Sequence, residues 1–487
     1  MKNMKKTLSL FLAVLMLMSC FSSAVSAIDM TQQQWNESWD TQSQEYLASV
    51  TMFPGANENE KTVAWYSKSA EGYVELTSEK GSEKIAATGK KTAQGDYRLR
   101  ADLKDLKVGE YTYKCVSEDY ESKTYSFTIE DYSGGFTALY VSDIHSSNNN
   151  EENENRLRDT NYNYNKTLEA AKKKALANGG TLDLIVSGGD QATGGLRSEF
   201  EGMTAPTIMK ELPFAPTVGN HDRKSLGYKY YTALPNEADF IKFKSYIGTD
   251  YWFRQGNALF LMLDSCNTSM TGHSLFMKKA IKENPDAKWI IAVLHHDMFG
   301  GREAWLYSEN ALLRLLWTPL FDQFGVDLCL YGHSHYYSVS NVIYGNKTVQ
   351  GLAGASKIKN PTGTIYLASG SLNNLAPLLT SDGEIPPIGE NAAFTFLEQD
   401  QIYNLLDFSE DSLTIKSYTV DGDKNFYSLT IDKTDNVGGH QLRNSKPYIK
   451  LLFFVTRIVN IINNIDMYEK YKDQGFDVSL FEGLIGS

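Results

Sequence analysis

The sequence predicts an α/β protein: a two-sheet β-sandwich flanked by helices, preceded by a small all-β sandwich domain. Three observations lead there. Residues 29 to about 130 break into short β-branched and aromatic runs separated by Gly, Asn, Asp and Ser. From Phe136 onward, strand-like runs alternate with helical segments. Five of those later runs end in clusters of Asp, Asn and His. In α/β sheets, sites collect at the carboxyl ends of strands.

The first 27 residues read as a signal peptide. Lys2, Lys5 and Lys6 make a basic start, Leu8 to Met18 an apolar core, and Val25-Ser26-Ala27 a small-residue cleavage site. The apolar run is short for a membrane span, so a secreted chain starting near Ile28 is expected. A second reading is a lipid anchor at Cys20, because Leu17-Met18-Ser19-Cys20 resembles a lipoprotein cleavage box. The formal net charge of −12 over 487 residues argues against a nucleic-acid-binding surface. It leaves room for a phosphate site in which metal ions supply the positive charge. Beyond the leader, Cys115, Cys266 and Cys329 make no disulfide framework. All three sit in strand-like runs and are expected to be small buried apolar residues.

Residues 28–130 form the expected β-sandwich. Thr62 to Tyr66, Tyr73 to Leu76, Tyr97 to Ala101, Tyr111 to Val116 and Thr124 to Ile129 are its strands. Their spacing suits an immunoglobulin or fibronectin type III arrangement. This stretch holds no His, so it reads as a structural or docking module, and Asp131 to Gly135 as a short linker. Residues 134–435 form the second domain. Helices are expected over Asn165 to Asn178, stopped by Gly179-Gly180, and over Ser274 to Asn284 and Ala311 to Phe324. Tyr251 to Arg254 and Ala258 to Leu263 flank Gln255-Gly256-Asn257 as a hairpin, and strand-like runs follow over Thr364 to Ala368, Ala393 to Leu397, Ser412 to Val420 and Phe426 to Ile431. In the tail, 436–487, Leu451, Phe454, Val455, Ile458, Ile462 and Ile465 recur at helical spacing, with Arg457 interrupting the run. The tail is expected to pack on the domain, with membrane-surface contact as the second reading.

The chemistry lies at the strand ends. Phe136 to Val141 leads into Asp143-Ile144-His145, and Leu182 to Val186 into Gly188-Gly189-Asp190. Leu212 to Thr217 leads into Val218-Gly219-Asn220-His221-Asp222, Trp289 to Leu294 into His295-His296, and Val326 to Tyr331 into Gly332-His333-Ser334-His335. In extended backbone, residues two apart point the same way, so Asp143 would project with His145, and His333 with His335. Carboxylate plus imidazole suits iron, zinc or manganese better than magnesium or calcium. Asp190 has two oxygens and can bridge. Two ions sharing a carboxylate, about 3.5–4 Å apart, would activate a bound water for in-line attack on phosphorus.

Asp-x-His, Gly-Asp, Gly-Asn-His-Asp, His and Gly-His-x-His, in that order, resemble the calcineurin-like metallophosphoesterases over about Phe136 to Ile431. The preceding β-sandwich resembles the N-terminal domain of purple acid phosphatases. The resemblance implies one metal held by Asp143, His145, Asp190 and His335, and a second by Asp190, Asn220, His295 and His333. It implies that His221 lies beside the metals without binding them, stabilising phosphoryl oxygens or protonating the leaving alkoxide. Asp222 would orient His221 from behind. Purple acid phosphatases have Asp-x-Gly first and a Tyr three residues after the bridging Asp; this chain has His145 and Thr193 there. An imidazole replaces a phenolate, so no purple colour is expected.

The reading is a secreted phosphoesterase with a dinuclear metal centre, acting on a small-molecule phosphate ester and on phosphomonoesters first. A phosphodiesterase or nucleotide-cleaving hydrolase is the alternative on the same site. A cell-surface binding module with a structural metal site is the alternative outside enzymes. Among the other residues, His296 is expected to face the far side of its strand, His273 to sit in a loop, and Arg223 to make a surface ion pair or touch phosphate. Asp264 and Tyr228 could line the cleft.

Overall fold

The structure, a computed structural model, describes residues 30–238, 247–299, 307–373, 389–396 and 400–434. The expected leader (1–27), the tail (436–487) and His440 lie outside the described residues.

Residues 51–129 hold β1 (Thr51–Pro54), β2 (Lys61–Ser67), β3 (Glu71–Ser78), β4 (Gly81–Lys91), β5 (Tyr97–Leu103), β6 (Gly109–Ser117), β7 (Tyr120–Glu121) and β8 (Tyr125–Ile129). They join in one path, β1-β2-β5-β4-β3-β6-β7, with β8 also on β6. β4 turns the array round a corner. Gly81 to Thr88 pair with β3, and Thr88 to Lys91 pair with β5. One half is then β1-β2-β5 and the other β4-β3-β6-β8. The halves face each other: a Cβ added to Gly72 of β3 would lie 2.8 Å from Leu99 of β5 and 3.0 Å from Trp65 of β2. Four elements were not expected: the short β1 and β7, the long β4, and a helix. β4 was not foreseen, because Gly-Ser-Glu-Lys-Ile-Ala-Ala-Thr-Gly-Lys-Lys is poor in strand formers and mostly exposed. Residues expected to be all-β also carry α1 (Gln32–Leu47), a polar helix. Its Trp35 is buried, with the indole N–H donating to Arg158 O.

The expected linker is ordered. Tyr132–Gly134 form a 3₁₀ turn in which the Asp131 side chain accepts from the Ser133 N–H, and Tyr132 is buried. The chain then enters two seven-stranded sheets. The first contains β9 (Gly135–Val141), β10 (Leu184–Ser187), β11 (Phe214–Pro216), β19 (Lys357–Lys359), β22 (Ile402–Ser409), β23 (Ser412–Thr419) and β24 (Asn425–Asp432), in the order β11-β10-β9-β22-β23-β24-β19. The second contains β12 (Tyr251–Gln255), β13 (Ala258–Met262), β14 (Trp289–Val293), β15 (Leu328–Tyr331), β16 (Tyr337–Ser340), β20 (Ile365–Ala368) and β21 (Ala392–Phe396), in the order β12-β13-β14-β15-β20-β16-β21. β17 (Val342–Tyr344) and β18 (Lys347–Gln350) form a separate two-stranded sheet. The hairpin expected about Gln255-Gly256-Asn257 is β12–β13, with Gly256 at φ 52°.

Strand alternation sorts the core into two layers. In β13 and β14, Ala258, Phe260, Met262, Trp289, Ile291 and Val293 join the cluster shared with the first sheet. Leu259, Leu261, Ile290 and Ala292 point to the other face, under α3 (Met270–Glu283) and α4 (Tyr307–Phe324). On the outside of the first sheet lies α2 (Arg156–Ala177), whose Tyr164, Leu168 and Ala171 are buried. All three expected helices are present, each starting earlier than its apolar spacing indicates.

The N-terminal unit meets the rest through apolar and polar contacts; Phe53 of β1 packs edge-on against Tyr231, with 5.6 Å between ring centroids. Arg98 of β5 is buried, donates to Ser49 O and Tyr231 O, and lies between the rings of Tyr66 and Tyr231. Tyr113 donates to Lys210 O at 2.7 Å, Arg100 to Leu234 O at 3.1 Å, and Arg197 pairs with Asp96 at 2.7 Å.

Candidate metal centre

β9, β10 and β11 are parallel neighbours in one sheet, and β14 and β15 are parallel neighbours in the other. The loops that follow these five strands carry Asp143 and His145, Asp190, Asn220 and His221, His295, and His333 and His335, and these side chains come together. The backbone there is not extended. Asp143, His145, Asp190, His333 and His335 take φ of 50–70°. That left-handed region costs residues with a Cβ about 1–2 kcal/mol each. The i, i+2 pairs therefore converge by this turn of the chain and not by strand alternation. The loops hold one another in place: Asp143 N–H donates to Gly189 O, His145 N–H to Asp190 O, and Gly332 N–H to His295 O.

Three groups of side chains result, of which two have no member in common. Asp143, His145 and His335 form one. His145 Nε2 and His335 Nε2 are 3.2 Å apart, and Asp143 Oδ1 lies 3.9 and 3.4 Å from them. Asp190, His295 and His333 form the other. His295 Nε2 lies 3.3 Å from Asp190 Oδ2, 2.8 Å from Asn220 Oδ1 and 3.2 Å from His333 Nδ1. Asp190 Oδ2 is also 4.0 Å from His145 Nε2, so one carboxylate oxygen faces both groups. The Asp190 carboxylate is oriented by the His221 backbone N–H, which donates to Oδ1 at 2.7 Å.

This donor set fits metal ions. His295 Nδ1 donates to Gly188 O, which leaves Nε2 among an amide oxygen, a carboxylate oxygen and another ring nitrogen. None of the oxygens has a proton to give, so the electron pairs converge on a place that calls for a cation. A proton answers part of the demand. Burial opposes charge on His295, but the Asp190 carboxylate outweighs it and lifts the pKa to about 10. Burial keeps His145 neutral, down to about 4, and His333, also repelled by His295, down to about 3. Asp143 is fully buried, yet His335 and His295 outweigh burial and hold it at about 2. Two buried carboxylates among imidazoles, with mixed nitrogen and oxygen donors, suit zinc, iron or manganese.

Residues 136–337 match the family model described as Calcineurin-like phosphoesterase. The chain carries a calcineurin-like phosphoesterase domain. A phosphoenolpyruvate phosphatase of Allium cepa is 27% identical over 146 residues, covering 27% of this chain and 30% of its own. A purple acid phosphatase of Glycine max is 24% identical over 193 residues, covering 36% and 40%. The chain thus spans less than half the length of these curated relatives. The structure of purple acid phosphatase PPD1 from yellow lupin (Lupinus luteus) seeds superposes with a TM-score of 0.64 at 19% identity, over 79% of this chain and 74% of that one, and shares the fold.

The phosphoesterase domain departs from the purple acid phosphatase pattern at two positions that touch. Thr193 Oγ1 lies 3.4 Å from His145 Nδ1 and 2.6 Å from Ser147 Oγ. A hydroxyl pair thus stands behind the imidazole. His221 borders the first group: a ring nitrogen lies within 4.8 Å of the ligand atoms of His145 and Asp190. The backbone at His221 is helical, φ −73° and ψ −38°, and not extended.

Several expectations about neighbouring residues are corrected. Asp222 does not orient the His221 ring: its oxygens accept from the N–H groups of Ala192 and Gly219. The carboxylate, fully buried, ties the Asp190 loop to the Asn220 loop. Its pKa is raised, by burial and then by Asp190. His296 does not face away; its ring is 4.6 Å from that of His333, and Nδ1 meets Ser265 Oγ at 2.8 Å. His273 lies in α3, where Nδ1 is 2.6 Å from Asp250 Oδ2 and Nε2 is 2.8 Å from Asn267 O. Cys266 occupies a turn and is only partly buried. Tyr228 and Asp264 do not line a cleft; both are buried, and the Tyr228 hydroxyl donates to Pro216 O. Arg223 donates to Cys266 O. Sequence reasoning missed Glu199, which is buried and accepts from the N–H groups of Asn148, Gly194 and Leu196, bracing the Thr193 loop.

Proposed function

We propose that the protein hydrolyses phosphate esters, phosphomonoesters first, at a centre of two metal ions. The observation that carries this reading is the convergence of proton-poor nitrogen and oxygen donors from five strand ends around Asp190 Oδ2. Asp143, His145 and His335 would hold one ion, and Asn220, His295 and His333 the other, with Asp190 shared. When bound, the ions supply the Lewis acidity that activates water and neutralises charge on the phosphoryl oxygens. The chain's own residues do the rest. Asp190 Oδ1 is tied to the His221 N–H, which aims Oδ2 at both groups. His221, at the edge of the first group, donates to a phosphoryl oxygen or protonates the leaving alkoxide. Asp222 keeps the two loops in register through backbone N–H groups.

The proposal extends to organisation. Residues 28–130 are a fibronectin III-like docking module and 134–435 the catalytic domain. Residues 1–27 carry the pattern of an export signal, which would put the mature enzyme outside the cytoplasm. Phosphate release from an aryl phosphate, measured with and without chelator, tests the reading. The expected result is activity that chelator abolishes, zinc, iron or manganese restores, and Asp190→Asn lacks. Chelator-resistant hydrolysis, or none with any of these metals, would refute it. Parallel assays on diesters and nucleotides decide between monoester and diester chemistry.

A further inference from the structure

The loops that carry His145 and Asp190 stay paired beyond those residues. His145 N–H donates to Asp190 O, Ser146 N–H to Gln191 O, and Thr193 N–H to Ser146 O. Farther out, one buried carboxylate takes an N–H from each loop. Glu199 Oε1 accepts from Asn148 N–H at 3.2 Å, and Oε2 accepts from Gly194 N–H at 2.8 Å. Oε2 also accepts from Leu196 N–H at 3.0 Å, and the Glu199 carbonyl accepts from Ser146 Oγ at 2.8 Å. The Leu196 bond is an ordinary cap of the short helix Arg197–Met203. The bonds to Asn148 and Gly194 leave the helix and fasten the outer ends of the two ligand loops. An ionised carboxylate only accepts, through two oxygens, so the three N–H groups are satisfied without conflict.

The same helix is gripped from its other side. Residues in a helix turn by about 100° each, so Arg197 and Glu199 face nearly opposite ways. Arg197 faces the N-terminal unit. Its guanidinium lies 3.7 Å over the Tyr66 ring, and Nη1 donates to Gln94 Oε1 at 2.6 Å and pairs with Asp96 Oδ2 at 2.7 Å. Gln94 and Asp96 belong to the turn between β4 and β5, which is closed by Thr92 N–H to Asp96 O. We infer that Glu199 is a positioning residue for the metal centre, and that the N-terminal unit holds it in place through Arg197. The inference rests on the proposed metal site and deepens it. The unit supplies no ligand, yet its grip ends two residues from the group that sets the spacing of the His145 and Asp190 loops. The shared position of Asp190 depends on that spacing. A glutamine at 199 offers one oxygen and an amino group, which meets one of the loop N–H groups donor to donor. One loop then comes loose while every ligand is still present.

The test reads metal affinity and backbone opening in the full chain. Zinc affinity is measured by competition with a chromophoric chelator in wild type, Glu199→Gln, Arg197→Met and Asp183→Asn. Asp183 is the control. It too is buried and joins β9 to β10, accepting from Thr137 N–H at 2.8 Å, but at the ends of the strands away from the ligands. Zinc affinity should fall by about 10–100-fold in Glu199→Gln and in the same direction in Arg197→Met. Asp183→Asn should lower the melting temperature alone. Hydrogen exchange of the chelator-treated protein should quicken over 146–149 and 191–196 in the first two variants and not in the control. Wild-type affinity in Glu199→Gln, or an equal loss in Asp183→Asn, would overturn the positioning role. Arg197→Met that matches wild type in both readouts would overturn the role of the N-terminal unit. Arg197 is partly exposed and bonds to side chains, so this variant decides the matter if Glu199→Gln does not fold. A wild type that binds no zinc would count against the proposed function, and the exchange rates alone would then decide this inference.

Discussion

Gly219→Ala is the most direct probe of the site, because its effect follows from distances alone. Gly219 does not need a left-handed backbone, so the substitution adds one methyl group and no torsional strain. The new Cβ would lie 2.1 Å from Asp190 Oδ1, 2.3 Å from Asp190 N and 2.8 Å from Asp190 Cγ. Nonbonded heavy atoms settle at about 3.5 Å, so Asp190 must retreat by roughly 1 Å or more. Neither contact is the far end of a flexible chain: one is backbone and the other the carboxylate itself. The retreat also strains the bond from the His221 N–H to Asp190 Oδ1 and that from the Gly219 N–H to Asp222 Oδ2. A misplacement of about 1 Å at a reacting centre costs about 10²-fold in rate, and overpacking costs about 1–3 kcal/mol in stability. The assay combines metal content after desalting, melting temperature and turnover of an aryl phosphate. Gly134→Ala, where a Cβ meets nothing within 4 Å, is the control. A Gly219→Ala protein with wild-type metal content and turnover would refute the placement of Asp190 at the shared position.

His221→Ala should keep both metals and lower turnover by about 10²–10⁴. The loss should be smaller for nitrophenyl than for alkyl phosphates, and loss of an ion on metal analysis would make His221 a ligand. Iron-loaded protein should show no strong visible absorption band, since Thr193 stands where a tyrosine ligand would be; a purple preparation would contradict the ligand set. The third prediction concerns His273, buried against Asp250 and Asn267 O. Burial alone would lower its pKa, but the Asp250 carboxylate raises it above the ordinary value. A raised folded-state pKa gives stability that is complete below the unfolded value of about 6.5 and is lost as pH rises through the folded value. His273→Ala should therefore cost about 3–5 kcal/mol at pH 6. The gap should narrow at alkaline pH in denaturant titrations, and a gap independent of pH would show that His273 is neutral.

The strand ends were legible because the chemistry is concentrated. Asp143, His145, Asp190, Asn220, His295, His333 and His335 each follow an apolar run, and the structure brings all of them together. Their backbone was not legible, because the left-handed turns come from bonds between loops far apart in sequence, such as Asp143 N–H to Gly189 O. β22 was missed, although Ile402–Ser409 lies beside β9 in the centre of its sheet. Its Asn404 and Asp407 break the apolar run; Asn404 is buried and bonded to Tyr140 O and Ser369 Oγ. His273 was misread because its partner, Asp250, lies in a different segment and a lone His carries no sign of its pairing. Asp222 was assigned to its neighbour His221, while the bonds it makes are to backbone groups, and these have no sequence signature.

The seam between the N-terminal unit and the rest has a bearing on how the chain can change over time. Arg98, Arg100 and Tyr113 reach across it to the carbonyl oxygens of Tyr231, Leu234 and Lys210. Each receiving partner is main chain. Such a bond depends on the path of the backbone and is blind to the side chain attached there; Tyr231 is the exception, since its ring also packs against Arg98 and Phe53. Residues 210–234 also contain the loop that bears Asn220, His221 and Lys224. Surface side chains along that segment are therefore free to drift, and with them the rim that meets a substrate, while the donors on the other side keep their acceptors. The docked unit acts as a clamp on shape, which lets the neighbourhood of the site vary in sequence without coming loose.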